Sequence, residues 1–154
     1  MIQRVQSVYL LLAFVIVGTM FIFPLGAFLG GIEHFRLTLF GLSNGAGVVV
    51  EHTVFMAILA TASALLPVVT IFLYKKRLLQ IRLCRVGMIL LAVLQLAVCF
   101  YLWRTARSMA GFTPNAFVLS VAAAAPAIAF ILVWFAMRGV ARDEAKVRSI
   151  DRIR

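Results

Sequence analysis

Lys75-Lys76-Arg77-Leu78-Leu79-Gln80-Ile81-Arg82-Leu83-Cys84-Arg85 decides how the whole chain is read. Five of its eleven residues are cationic, none is acidic, and a long apolar run lies on each side of it. A bilayer resists carrying such a segment across during insertion, so the island marks the cytoplasmic side of a membrane protein. Thr53 to Tyr74 enters it from one direction and Val86 to Trp103 leaves it in the other.

Composition agrees. Of 154 residues, 64% are hydrophobic and 13% charged, with a mean hydropathy of +1.09, outside the range of a water-soluble domain. About 20 apolar residues cross ~30 Å of hydrocarbon, which leaves room for four crossings and short connections. The expected fold is an all-α membrane protein, a four-transmembrane-helix antiparallel bundle forming one domain over residues 1–154, with spans at about 7–29, 53–74, 86–103 and 116–137. Val5 to Leu29 is too long for the apolar core of a cleaved signal, and reads as an uncleaved first span from Ser7 to Leu29. Pro24 lies near its outer end, and Gly26 with Gly30 either packs a neighbouring helix or loosens the helix exit. Ala57, Ala60, Thr61 and Ala64 form a small-residue stripe in the second span, and Ala122 to Ala125 with Pro126 a second such stretch in the fourth.

The net charge of +10 follows the same layout. Arg4, the five cations of the island and the six of the tail (Arg138, Arg142, Lys146, Arg148, Arg152 and Arg154) place twelve of 15 Lys and Arg on one side; Arg36, Arg104 and Arg107 remain on the other. Both termini are therefore expected in the cytoplasm, with a basic cytoplasmic loop at 75–85 and a basic tail at 138–154. Cations spread by membrane side point to the bilayer and its anionic headgroups as partners, with no nucleic acid expected. Lys75, Lys76, Arg77, Arg82, Arg85, Arg148, Asp151, Arg152 and Arg154 are the candidate partner-binding or lipid-binding residues. The alternation of Asp143 and Glu144 with Lys146 and Arg148 suits a docked helix better than a disordered arm.

Gly30 to His52 is the sizeable segment on the far side. Phe35-Arg36-Leu37-Thr38-Leu39-Phe40, the turn residues Ser43-Asn44-Gly45-Ala46-Gly47 and Val48-Val49-Val50 suggest a small β-hairpin over the outer mouth. Such a hairpin would bring Glu33-His34 next to Glu51-His52, two carboxylates and two imidazoles able to hold a divalent ion; the alternative is ordinary polar residues at span ends. Strong metal spacing is absent, and no cofactor is expected. Cys84 and Cys99, about 22 Å apart on one helix, do not form a disulfide.

No Asp, Glu, Lys, Arg or His lies in the interior of a span, although proton relays and ion-coupled carriers usually need one. Gln95, near the middle of the third span, must find partners in hydrocarbon: either an interhelical or intrahelical hydrogen bond that fixes packing or a contact to a substrate. No nucleophile elbow, Cys–His pair or Gly-rich phosphate loop is present.

The opening Met1-Ile2-Gln3-Arg4-Val5-Gln6-Ser7-Val8-Tyr9-Leu10-Leu11-Leu12, the central Leu73 to Cys84 and the closing Asp143-Glu144-Ala145-Lys146-Val147-Arg148-Ser149-Ile150-Asp151-Arg152-Ile153-Arg154 together resemble a domain-of-unknown-function family of small four-span membrane proteins from Bacteroidetes. The resemblance runs end to end and implies a bacterial inner (cytoplasmic) membrane protein, with no catalytic residue to carry over. The expected function is a non-enzymatic accessory or scaffold subunit that binds another membrane protein or complex, or forms a homo-oligomer. The alternative is a small transporter or channel for a neutral or lipid-like solute, with a cavity around Gln95, Pro67 and Pro126. A membrane enzyme acting on lipids through Glu33, His34, Glu51 and His52 is a third class.

Overall fold

The computed structural model describes residues 2–30, 33–44, 46–73, 77–108 and 116–151. In chain order the elements are α1 (Ile2–Ile22), β1 (Gly26–Gly30), β2 (Glu33–Leu37), β3 (Gly41–Asn44), β4 (Val49–His52), α2 (Val54–Phe72), α3 (Arg77–Ser108), β5 (Ala116–Leu119), a 3-10 segment (Val121–Ala124) and α4 (Ala125–Asp151). The chain is mostly helical. Four of its helices are long and apolar enough to cross a membrane, and a small antiparallel sheet closes one end.

The helices form a ring in sequence order, α1 against α2, α2 against α3, α3 against α4, with the widest contact between α4 and α1. α1 runs into the sheet, α2 leaves it, α3 returns to meet it through Arg104 and Glu51, and α4 leaves again. The bundle is therefore up-and-down, as the short connections require. Residues three and four apart supply its interior: Leu10, Ala13, Val17 and Met20 of α1, Met56, Ala60 and Ala64 of α2, Leu91, Leu94 and Val98 of α3, Ala129, Val133, Ala136 and Val140 of α4. The outward faces are equally apolar, with Val8, Leu11, Val15, Ile58, Leu65, Ile89, Leu96 and Ile131 exposed. Helices that are hydrophobic all round need an apolar surrounding, which lipid provides.

The sheet is larger than the expected hairpin and draws on two segments read as spans. Its strand order is β4-β3-β2-β1-β5, every neighbour antiparallel. α1 stops at Ile22, with Phe23 N still donating to Thr19 O at 3.0 Å. Pro24 then disfavours helix for the residue before it and offers no N–H of its own. Leu25 N donates to Leu37 O at 2.7 Å, and the chain that would have completed the first span becomes β1, paired with both β2 and β5. Ala116 to Leu119, the expected opening of the fourth span, is β5, and the helix proper starts at Ala125 with Pro126 in its first turn, where a missing N–H costs nothing. An apolar run without periodicity does not distinguish strand from helix; pairing across the chain decides it.

One face of the sheet packs on the bundle with Phe28, Leu37 and Leu42 buried, while Arg36 and His34 are exposed. Thr38 turns β2 into β3, its hydroxyl donating to Gly41 O at 2.8 Å. Buried Thr53, just before α2, donates through Oγ1 to Leu39 O at 2.9 Å and through N to Phe40 O at 3.1 Å. This fastens the start of α2 to the β2–β3 turn. The turn at Gly47, with φ of 78°, joins β3 to β4.

The expected basic loop is largely helix. α3 runs 32 residues from Arg77, about 48 Å at 1.5 Å per residue, so Arg82 and Arg85 project from its opening turns. Residues 77–85 contain Leu, Arg, Gln and Ile and no Gly or Pro, which favours continuation of the helix. The tail likewise continues α4 to Asp151 rather than forming a separate helix. Of the small-residue stripe on α2, Ala57, Ala60 and Ala64 are buried, whereas Thr61 is exposed and donates to Ala57 O at 2.7 Å.

Candidate functional site

Gln95 is placed by α3 against the junction where the 3-10 segment becomes α4. Its Nε2 donates to Ala123 O at 3.3 Å, and its Oε1 accepts from Ala127 N at 3.2 Å. Those two backbone groups are four residues apart, the pair that an α-helix joins directly, with Pro126 between them. The amide thus splints the first turn of α4 to α3, the interhelical hydrogen bond being the arrangement adopted. Nε2 also lies 3.5 Å from the Sγ of Cys99, which, like buried Cys84, is a free thiol. Near this junction an apolar groove of about 470 Å³ lies between α1 and the 3-10 segment, lined by Ile16, Phe23, Val121, Ala125 and Ile128 among others; Gln95 and Pro67 are not part of it. Pro67 is buried in α2, where it cannot donate to the carbonyl of Ser63, and the Ser63 hydroxyl has no hydrogen-bond partner among the described residues.

At the end away from the sheet, the first turns of α1 meet the last turns of α4. Buried Gln6 donates through Nε2 to Asp143 Oδ2 at 2.7 Å. The contact depends on Gly139: a Cβ built there would stand 2.9 Å from Gln6 Cγ and 3.1 Å from Gln6 Nε2. Tyr9 and Phe135 pack with ring centroids 6.1 Å apart, and the Arg138 guanidinium lies 4.7 Å from the centroid of the Trp134 ring. Between these groups is a groove of about 270 Å³ lined by Val5, Gln6, Tyr9, Phe135, Arg138, Gly139 and Arg142. Sequence reading passed over Gln6, Arg138, Gly139, Arg142 and Asp143 as site residues. A glutamine entering one apolar run and an aspartate leaving another was the available signal, but it becomes a contact only once α1 and α4 are known to be neighbours.

At the sheet end the two Glu-His pairs of metal candidates lie on two strands that are not neighbours. Glu33 and His34 are on β2, Glu51 and His52 on β4, and β3 runs between. The hairpin turn sets Glu51 opposite Leu42 and His52 opposite Gly41, while His34 faces Leu29 of β1. Glu51 Oε1 is paired with Arg104 Nη1 at 2.9 Å. Among the described residues no three His, Cys, Asp or Glu side chains group as metal ligands.

Of the expected partner-binding cations, Arg82 and Arg85 are exposed on α3. Arg77 opens α3, and Arg148 and Asp151 lie in the last turns of α4; Lys75, Lys76, Arg152 and Arg154 lie outside the described residues.

Fold and geometry define a class: a bundle of four helices of membrane-spanning length, apolar on both faces, capped by a small sheet and basic at the opposite end. The chain belongs to the family described as the domain of unknown function DUF4293, whose match covers residues 2–153. The comparison with curated proteins gives no match.

Proposed function

We propose that the protein is an integral component of a bacterial inner membrane, with the sheet outside and both termini and the α2–α3 connection in the cytoplasm, and that it serves as a non-enzymatic accessory or scaffold subunit for another membrane protein or complex. One observation carries this reading: the bundle's interior holds no Asp, Glu, Lys, Arg or His side chain among the described residues, and, Ser63 apart, its polar groups Gln95 and Thr70 are engaged by backbone within the bundle itself. Transport of charge or covalent chemistry needs groups held ready for a ligand. What the protein offers instead is surface: apolar helix faces toward the bilayer and a basic end toward the cytoplasm. The orientation follows from charge, since Arg82, Arg85, Arg138 and Arg142 stand at the end away from the sheet against Arg36, Arg104 and Arg107 near it.

The test is native electrophoresis of gently solubilised membranes carrying the tagged full chain or a version lacking Lys146 to Arg154. The full chain migrates in a complex heavier than itself, and the truncated chain loses that complex while keeping its own fold. A full chain that runs at its own mass in native membranes refutes the scaffold reading. Reporters fused at each terminus read out the cytoplasmic side; a signal from the opposite compartment reverses the orientation.

A further inference from the structure

We propose that the groove between the start of α1 and the end of α4 binds the phosphate of an anionic phospholipid, held between the guanidinium groups of Arg138 and Arg142. The inference rests on the membrane reading above, and on neither its orientation nor its partner.

Position is the first ground. Arg138 follows the apolar stretch of α4 directly, and Trp134 stands one turn before it, as an aromatic anchor at headgroup depth does. The groove is thus where a phosphate and the head of an acyl chain meet the protein. Shape is the second. The recess of about 270 Å³ is lined by the apolar side chains of Val5, Tyr9 and Phe135 together with the cations Arg138 and Arg142, both exposed. A phospholipid presents the matching pair of groups, hydrocarbon and phosphate.

Chemistry is the third. Arg138 and Arg142 are four residues apart and so share one face of α4, and Gly139 between them lowers the wall on the side of Gln6. The Trp134 ring beneath Arg138 orients a planar donor whose fork matches phosphate oxygens. Asp143, the acid one position beyond Arg142, has Oδ2 occupied by Gln6 Nε2 at 2.7 Å and does not line the recess.

The test uses the full chain in lipid nanodiscs on a Trp103→Phe background, so that Trp134, which stacks on the groove residue Arg138, is the remaining tryptophan and reports from beside the groove. Brominated phosphatidylglycerol should quench Trp134 in preference to brominated phosphatidylcholine, by about fivefold for each engaged cation. Arg138→Gln/Arg142→Gln should remove most of that preference, and Arg142→Gln, which leaves the Arg138–Trp134 stack in place, should remove part of it. Arg82→Gln/Arg85→Gln, which takes two charges from the same end on α3 and none from the groove, should lower it by a clearly smaller factor than the groove double variant. Three results overturn the proposal: no preference in the parent protein, an equal loss in the α3 variant, which would mean a diffuse basic surface, or displacement of the lipid by excess inorganic phosphate at matched ionic strength, which would make free phosphate the ligand. Failure to find a protein complex would leave this measurement unaffected, and a lost lipid preference would leave the scaffold reading standing.

Discussion

Gly139→Ala tests the packing of α1 on α4 through a change of sign. Considered on its own helix the substitution is favourable, because Ala replaces Gly in a helix interior with a gain of about 1 kcal/mol. The added Cβ, however, stands 2.9 Å from Gln6 Cγ, 3.1 Å from its Nε2 and 3.4 Å from its Cδ. The clash reaches the middle of that side chain, so rotating its tip does not relieve it. Gln6 must leave, and its 2.7 Å bond to the Asp143 carboxylate goes with it. A hydrogen bond to a charged group contributes about 1.5–3 kcal/mol; after subtracting the propensity gain, Gly139→Ala should destabilise by roughly 0.5–2 kcal/mol. In a Gln6→Ala background nothing occupies the space, and the same substitution should stabilise by up to about 1 kcal/mol. The expected coupling of about 1.5–3 kcal/mol is measurable from reversible unfolding in mixed detergent micelles followed by circular dichroism. Equal effects of Gly139→Ala in the two backgrounds would refute the proposed contact.

Gly41→Ala should disrupt the sheet locally: its Cβ would fall 2.6 Å from the Glu51 carbonyl oxygen and 2.8 Å from Val49 Cγ1, and backbone cannot step aside as a side chain can. Hydrogen exchange should accelerate through β4 while the middle of α4 stays protected; unchanged β4 protection would contradict the register. Gln95→Leu removes two contacts to the start of α4, each contributing about 0.6–2 kcal/mol, but frees Ala123 O and Ala127 N to bond each other, so the loss should stay near 1–2 kcal/mol. A liposome leak assay on the same variant, if it changed transport at unchanged stability, would favour the carrier alternative. Ser63→Ala should be neutral or stabilising by up to about 1 kcal/mol, since the buried hydroxyl has no partner among the described residues; a clear destabilisation would indicate a ligand or water bound to it.

The four apolar helices were legible in the sequence because hydrophobicity alone sets whether a segment is long enough to cross a bilayer. Their ends were not. Gly26 to Gly30 and Ala116 to Leu119 are as apolar as the spans they adjoin, and become strands because Pro24 and Pro126 fix where helix can stop and start and because they pair with each other. The β3–β4 turn was readable from Asn44 to Gly47, but the sheet's order depends on pairings distant in sequence. The metal constellation shows the same limit: two Glu-His pairs flanking a hairpin would meet only if β2 and β4 were neighbours, and β3 separates them. Gln95 was identifiable because an amide in a hydrophobic run must be satisfied, though nothing local showed that it would be satisfied by the backbone of α4.

These ties share a physical basis in the membrane. Lipid supplies little hydrophobic drive for helices to associate, since tails are as apolar as the side chains they replace. Specific contacts must therefore set how α4 sits. Gln95 fixes its first turn to α3, and Asp143 fixes its last turns to Gln6 of α1. Between them the small side chains Ala129 and Ala136 are buried and allow close approach. A helix held at both ends cannot slide by a turn, about 5.4 Å, without breaking both sets of bonds at once. The aromatic and cationic groups of the α1–α4 groove are thereby kept in one geometry, and a lipid that binds there meets a preformed site.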